Sequence, residues 1–384
     1  MRKKAVIAMS GGVDSSVAAL LLKEQGYDVV GLFMRMGSLP EAGVGHEPGG
    51  RSRSCCSLED AHDAERVAES LDIPFYVLNF RDAFEGLIDY FCDEYIRGRT
   101  PNPCIVCNQK LKFGKLLIFA AGIGADYLAT GHYVRIAKSG GRYCLKTGCD
   151  RGKDQSYVLF SLTQEQFSHA LFPLGDWTKE DVRKKAAEAG LRTGSKPDSQ
   201  EICFVPSDGY RGLLRKRMGD ADTAGPILDT LGNVLGSHPG VQFFTIGQRR
   251  GLGIAMGEPY YVVDIDPATR AVTVGRREET LVREFFVTDL NWLAIKRPGG
   301  RFKAEVKIRY NHTPAAATVY PVDEDTVRVL FDSAQKAITP GQAAVFYRGE
   351  LVLGGGWIDK KSPVGPAIHR QGHQVDVGKQ AAHT

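Results

Sequence analysis

The sequence lacks the long apolar runs that membrane and secreted proteins carry. No stretch approaches the roughly 18–20 apolar residues that a membrane-spanning helix needs. The segment from Met1 to Met9 starts with basic residues, but its short apolar run is followed by no cleavage site. It therefore predicts a first strand rather than a signal peptide, and we expect a cytoplasmic protein without a membrane partner.

A strong excess of charge of one sign is also missing. The 49 basic and 45 acidic residues leave a net charge of +4, which permits a nucleic-acid partner without requiring one. With 384 residues, 43% of them hydrophobic, the chain is long enough for two or three domains. Eight cysteines in a chain of this size favour reactive or metal-binding thiols over a disulfide framework.

The first half of the chain alternates between short apolar runs and helical patterns. The apolar runs of strand length are 5–9, 29–34, 75–78 and 127–130. Strands that alternate with helices predict an α/β fold, in which a parallel sheet is covered on both faces. The ligands of such sheets bind at the carboxyl ends of the strands.

After about residue 207 the pattern changes to short strands separated by tight turns. Apolar and charged residues alternate strictly from Phe302 to Tyr310, which is typical of a half-buried strand. We predict a small linking domain followed by a C-terminal β-barrel and a polar, unstructured tail. The predicted boundaries are 1–207 for the α/β domain, 208–285 for the central domain, 286–361 for the barrel and 362–384 for the tail.

A glycine-rich loop, S-G-G-V-D-S-S at residues 10–16, lies between the first predicted strand and the first predicted helix. Its glycines let the backbone approach an anion, and the following helix adds unpaired N–H groups. Asp14 is an unusual neighbour for a phosphate unless a metal ion mediates, so the loop also predicts Mg²⁺. The loop is not a Walker loop, because no lysine follows the glycines and the spacing differs.

Three cysteines are candidates for chemistry. Cys104 and Cys107 form a C-x-x-C motif after a proline-rich turn, and Cys203 follows about a hundred residues later. Such a motif can be redox-active, metal-binding or catalytic, and one pair alone supplies only half of a zinc site. We expect Cys92 and Cys144 to be small buried apolar residues instead.

Six motifs occur in a fixed order: S-G-G-V-D-S-S, T-P-N-P-x-x-x-C-N, G-H-Y, K-D-Q-S-Y, S-Q-E-I-C-F and T-I-G-Q-R-R-G-L-G. The first resembles the pyrophosphate loop of the N-type ATP pyrophosphatases, which belong to the adenine nucleotide alpha hydrolase-like fold. Together the motifs resemble the bacterial tRNA-specific 2-thiouridylases over almost the whole chain. The resemblance implies ATP-dependent thiolation of the wobble uridine of tRNA, through adenylation of its C2 oxygen.

The resemblance also implies roles for individual residues. Cys203 would carry a persulfide received from a cysteine desulfurase or a sulfur-relay protein, and Cys107 would be the nucleophile that completes sulfur transfer. The implied ATP-binding residues are Ala8, Met9, Ser10, Gly11, Gly12, Val13, Asp14, Ser15, Met34 and Gly131. The implied tRNA contacts are Asn102, Pro103 and Cys104 at the target base, Lys153, Asp154 and Gln155 near it, and Arg309 and Tyr310 from the barrel.

The sequence departs from the family at Cys104, where relatives often carry Asp. Cys104 either replaces a base-contacting side chain, or it joins Cys107 and Cys203 as a ligand of a 4Fe–4S cluster in which one iron is free to bind sulfide. The persulfide route is favoured, because three thiolates do not specify a cluster. Two other functions are consistent with parts of the pattern: a nucleotide-amidating enzyme, which needs no paired thiols, and a non-catalytic RNA-binding protein with a structural metal.

Basic residues of the second half of the chain suit a phosphate backbone. Residues 296–309 hold six basic residues and one acid, and Arg249 and Arg250 lie in a glycine-rich loop. A solvated strand face would explain the same pattern. A lone histidine is more often structural than catalytic, and we assign His132 no catalytic role.

Overall fold

The structure is a computed structural model that describes residues 2–37, 58–196, 202–205, 209–218 and 223–360. The predicted tail lies outside these residues. Within the ranges given, no helix is long and apolar enough to cross a membrane.

The first part of the chain alternates strands and helices, as predicted. Its elements are β1 Lys4–Met9, α1 Val13–Glu24, β2 Asp28–Arg35, α2 Leu58–Ser70, β3 Phe75–Asn79, α3 Arg81–Ile96, α4 Pro103–Val106, a π-helix Cys107–Leu116, α5 Leu117–Gly122, β4 Tyr127–Ala129, β5 Val134–Ser139, β6 Arg142–Thr147, α6 Gln164–Ser168, β7 Ala170–Leu171 and α7 Lys179–Glu188. The strands pair in the order β3-β2-β1-β4-β7, with every pairing parallel. The predicted parallel α/β sheet is therefore confirmed.

Both faces of the central strands β1 and β2 are buried, because helices pack on each side. The neighbouring β1 residues Val6 and Ile7 are fully buried but belong to two different apolar clusters. Side chains of successive strand residues point to opposite faces, so the two clusters are the two cores of a three-layer domain. Gly26, with φ +85°, follows the end of α1 in the left-handed conformation that glycine adopts most easily.

A smaller middle domain follows. Its elements are α8 Tyr210–Met218, β8 Gly225–Leu228, β9 Val234–His238, β10 Tyr261–Asp266 and β11 Ala271–Gly275, with the sheet order β10-β11-β8-β9. It packs on α3, where the Tyr210 ring stacks on Tyr95 with centroids 4.5 Å apart.

The C-terminal part forms the predicted barrel from β12 Leu281–Trp292, β13 Phe302–Lys307, β14 Ala315–Pro321, β15 Val327–Lys336, β16 Ala343–Arg348 and β17 Leu351–Asp359. The strand order is β12-β15-β14-β13-β16-β17, and pairing of β17 with β12 closes the ring. Ala304 and Val306 of β13 are buried, whereas Lys303 and Glu305 are exposed. The half-buried strand predicted from the alternation is thus confirmed.

The hairpin of β5 and β6 follows the parallel sheet in the chain but belongs to the sheet of the barrel. The strands β5 and β6 pair with each other and join the barrel through Leu351 of β17 and Lys146 of β6. Arg135 Nη2 on β5 lies 2.9 Å from Glu350 Oε2, which strengthens the junction. Because the hairpin follows β4 of the parallel sheet and reaches the barrel, it places residues 148–155 between the two domains.

Candidate functional site

The glycine-rich loop lies at the carboxyl end of β1, where the parallel sheet predicts a ligand. Gly11 has φ +69°, and a β-carbon there would lie 2.3 Å from the carbonyl oxygen of Asp60, so only glycine fits. The Ser15 hydroxyl accepts from Ser10 N at 3.1 Å and donates to Gly12 O at 3.1 Å. The loop is thereby held rigid at the N-terminus of α1, where the helix offers N–H groups to an anion.

The other predicted nucleotide residues are at the same end of the sheet. Ala8 and Met9 end β1, and Met34 lies near the end of the neighbouring strand β2. A β-carbon on Gly131 would lie 2.9 Å from Asp14 C and Ser15 N, so the segment after β4 packs directly against the loop. The structure therefore brings together the residues that the resemblance assigned to ATP.

The carboxylate of Asp14 is held by two side chains that sequence reasoning missed. Lys179 Nζ donates to its oxygens Oδ1 and Oδ2 at 2.7 and 2.8 Å, and the Tyr133 hydroxyl donates to Oδ1 at 2.7 Å. Lys179 begins α7 and is only 9% exposed. The Lys179 ammonium group therefore compensates the charge of Asp14. From the sequence we expected a metal ion in that role. Tyr133 lies in the G-H-Y motif, whereas no local pattern marks Lys179.

His132 is a buried residue of the G-H-Y motif. Its ring Nδ1 lies 2.7 Å from the hydroxyl of Thr130 in a buried environment. Burial lowers the pKa of His132 well below its usual value, and the charge of Lys112 acts in the same direction. A neutral histidine hydrogen-bonded within its own segment fits a structural role.

The thiol segments both pack on α3. Asn102 is the N-cap of α4. Cys104 is exposed on α4, and Cys107 is buried at the start of the π-helix that follows. Cys203 is partly buried. The side chain after it, Phe204, packs edge-to-face on Phe84 and Phe91 of α3, whose centroids lie 5.5 and 5.1 Å away, and α4 packs on the same helix. The two segments thus share one support, while direct approach of the Cys107 and Cys203 sulfurs stays a prediction.

The remaining predicted cysteines behave as expected. Cys92 and Cys144 are buried, and burial raises the pKa of the Cys92 thiol. Within the part of the chain that the structure describes, no group of three or more His, Cys, Asp or Glu side chains is placed to hold a metal ion. Cys104, Cys107 and Cys203 therefore form no such group among the described residues.

Residues 148–155 form a compact loop, the substrate loop, which contains the predicted tRNA contacts Lys153, Asp154 and Gln155. The Asp154 carboxylate accepts from Gly148 N and Ser156 N, each at 3.1 Å, and from Ser156 Oγ at 2.8 Å. Asp154 thus holds the loop in shape. Gln155 Oε1 accepts from Tyr133 N at 3.0 Å, which ties the loop to the segment beside Asp14.

The barrel contributes a basic and aromatic cluster next to this loop. The Tyr310 ring lies 6.4 Å from that of Tyr157, and Lys307 Nζ lies 5.5 and 5.8 Å from the two rings. Burial raises the pKa of Tyr310, and the charges of Asp154 and Cys104 act in the same direction. Asp154 of the substrate loop and Cys104 of the C-x-x-C motif therefore lie near Tyr310 of the barrel.

Two basic side chains of this region differ in environment. Arg309 Nη1 donates to Lys336 O at 3.1 Å, so its guanidinium is anchored to the barrel. Burial lowers the pKa of Lys307, while the nearby carboxylate of Asp154 opposes that shift. In the sequence Lys307 is only one residue of a basic stretch, because its partly buried position near the rings of Tyr157 and Tyr310 depends on long-range packing.

Comparison with known proteins covers the same three domains. Family models match residues 3–207 as "tRNA methyl transferase HUP domain", 211–276 as "tRNA methyl transferase PRC-barrel domain" and 282–358 as "Aminomethyltransferase beta-barrel domain". Three curated relatives carry the name "tRNA-specific 2-thiouridylase MnmA". They come from Carboxydothermus hydrogenoformans (51% identity over 94% of this chain and 98% of the relative), Clostridium perfringens (50%, 93% and 99%) and Moorella thermoacetica (50%, 94% and 100%).

Proposed function

Because the chain belongs to the family of tRNA-specific 2-thiouridylases, we propose that it replaces the C2 oxygen of the wobble uridine in tRNA with sulfur. The reaction uses ATP, releases AMP and pyrophosphate, and takes place in the cytoplasm. One observation carries the proposal. The cluster around Tyr310 and Cys104 is joined through the substrate loop, Gln155 and Tyr133 to Asp14 of the glycine-rich loop.

The proposed reaction needs both an activating nucleotide and two thiols. The C2 carbon of uracil is a poor electrophile, and transfer of AMP to its oxygen creates a good leaving group. The terminal sulfur of a Cys203 persulfide then attacks C2 and expels AMP, which leaves Cys203 linked to the base through two sulfurs. The Cys107 thiolate attacks the Cys203 sulfur, forms a Cys107–Cys203 disulfide and releases 2-thiouridine. A dithiol reductant and a sulfur donor restore the enzyme for the next cycle.

Mg²⁺ fits the glycine-rich loop as a companion of the nucleotide. A carboxylate oxygen has two acceptor positions, and Asp14 Oδ2 uses one of them for Lys179 Nζ. The second position suits a Mg²⁺ ion that is otherwise held by phosphate oxygens and water. Bound Mg²⁺ would neutralise charge on the departing pyrophosphate. The persulfide route is proposed over a cluster because three thiolates do not specify a cluster, and the described residues form no group of three or more metal ligands.

The test is to incubate the protein with ATP, unmodified tRNA and a persulfide donor, and to identify the modified nucleoside by mass spectrometry. We expect 2-thiouridine from the wild type and from Cys144→Ala, a buried cysteine outside the site. Cys107→Ser and Cys203→Ser should yield no thiolated product and bind tRNA normally. A wild type that forms no 2-thiouridine would refute the proposed function, and full activity of either serine variant would contradict the proposed mechanism.

A further inference from the structure

Tyr133 connects the glycine-rich loop to a second part of the site. Tyr133 as a whole is 3% exposed, and its hydroxyl donates to Asp14 Oδ1 at 2.7 Å. The residue lies between β4 of the parallel sheet and β5 of the barrel hairpin. A bond from a buried hydroxyl to a carboxylate is among the stronger hydrogen bonds in proteins, so the ring position and the loop position depend on each other.

The backbone of Tyr133 is fixed by the substrate loop. Its N–H donates to Gln155 Oε1 at 3.0 Å, and its carbonyl accepts from Gln155 N at 3.2 Å. A β-carbon on Gly148, at the other end of the loop, would lie 2.7 Å from the same carbonyl oxygen. Movement of the substrate loop must therefore displace Tyr133 or break these contacts.

Lys179 forms a parallel connection. Its ammonium group holds both oxygens of Asp14, and its backbone N–H donates to Asp150 Oδ2 in the substrate loop at 3.0 Å. The ammonium also lies 5.9 Å from the centre of the Tyr133 ring. Tyr133 and Lys179 thus both hold Asp14 through their side chains and the substrate loop through their backbone.

We propose that Tyr133 is a positioning residue that couples the nucleotide site to the tRNA site. A phosphate bound at the glycine-rich loop fixes Asp14 and hence the Tyr133 ring, and the ring fixes the loop that receives tRNA. Because coupling between two binding sites is reciprocal, tRNA tightens nucleotide binding by the same factor. The inference rests on the proposed function, since it takes ATP and tRNA as the two ligands.

The variant Tyr133→Phe isolates the connection, because it removes the hydroxyl and keeps the ring and the backbone bonds to Gln155. The matched control is Tyr127→Phe at the amino end of β4, the end opposite to the glycine-rich loop, where the hydroxyl accepts from Lys3 Nζ at 2.8 Å. Calorimetric titration with α,β-methylene-ATP, which resists cleavage, gives the Kd with and without saturating unmodified tRNA. Titration of tRNA with and without the analogue checks reciprocity.

We expect tRNA to tighten binding of the analogue about tenfold in the wild type and in Tyr127→Phe. In Tyr133→Phe the tightening by tRNA should fall to about threefold, because the connection through Lys179 remains, while each ligand alone binds within about threefold of the wild type. Undiminished coupling in Tyr133→Phe would overturn the inference, as would weaker binding of both ligands with unchanged coupling or a wild type without coupling. Failure of the wild type to bind either ligand would instead refute the proposed function.

Discussion

Two lysines of α7 reach the first helix and its loop, and they permit a matched comparison. Lys179 Nζ lies 2.7 Å from Asp14 Oδ1, in a pair with side chains 11% and 34% exposed. Lys185 Nζ lies 2.7 Å from Glu24 Oε1, in a pair with side chains 25% and 46% exposed. Substitution of either lysine by Met removes one charge and keeps most of the apolar stem. Any difference in stability or nucleotide binding between Lys179→Met and Lys185→Met therefore reflects where the lost charge lies in the structure.

The two substitutions should differ in stability. The exposed pair of Lys185 contributes about 0–1 kcal/mol. Removal of one partner from a fully buried pair costs roughly 3–5 kcal/mol, and the partial exposure of Asp14 reduces this to about 2 kcal/mol for Lys179→Met. A loss of that size in a domain of this length lowers Tm by about 4–8 °C.

Lys179→Met should also weaken nucleotide binding in buffer without Mg²⁺, because it leaves the Asp14 carboxylate without a compensating cation beside the phosphates. At about 6 Å and an effective dielectric constant of 20–40, the repulsion between two unit charges is roughly 1.4–2.8 kcal/mol. That corresponds to about 10–100-fold weaker binding of ATP. Thermal unfolding and calorimetric titration with α,β-methylene-ATP measure both effects. Equal changes in Lys179→Met and Lys185→Met would refute the role assigned to the buried pair.

Three further outcomes are expected. Burial lowers the pKa of His132 and His238 below the value of about 6.5 that a histidine has in an unfolded chain. As the pH falls, the unfolded state therefore binds protons at a higher pH than the folded state does. The associated stability is present above pH 6.5 and is lost on acidification, and a Tm that rises from pH 7 to 5.5 would contradict this. Tyr310→Ala should weaken tRNA binding by about 1–3 kcal/mol in a filter-binding assay, with Tyr320→Ala of the same barrel as the control; equal losses would exclude stacking of a base on Tyr310. The logarithm of tRNA affinity should fall linearly with the logarithm of salt concentration, and Arg309→Ala should reduce the slope by about one; an unchanged slope would exclude a phosphate contact.

The sequence was sufficient to predict features that depend on neighbouring residues. The glycine-rich loop could be located because a strand, two glycines and a helix follow one another within a few residues. The half-buried strand β13 could be predicted because its alternation repeats every second residue. In both cases local geometry alone determines which side chains face a ligand or the core.

Features that depend on long-range packing were missed. Lys179 meets Asp14 only because α7 packs on α1, and a sequence separation of 165 positions leaves no local signal of that contact. The β5–β6 hairpin joins the barrel through pairing with β17, which no periodicity in 134–147 specifies. The hydrogen bonds by which the Asp154 carboxylate holds its own loop also carry no sequence signal, and its contact with tRNA stays a prediction. Such contacts follow from the tertiary arrangement.

The most direct test of the mechanism is the state of two cysteines after a single turnover. Enzyme that carries one persulfide is mixed with ATP and excess unmodified tRNA, quenched in acid, digested and analysed for cross-linked peptides. The account predicts a disulfide between Cys107 and Cys203, in an amount that matches the 2-thiouridine formed. Thiolated tRNA produced without that disulfide would contradict the account.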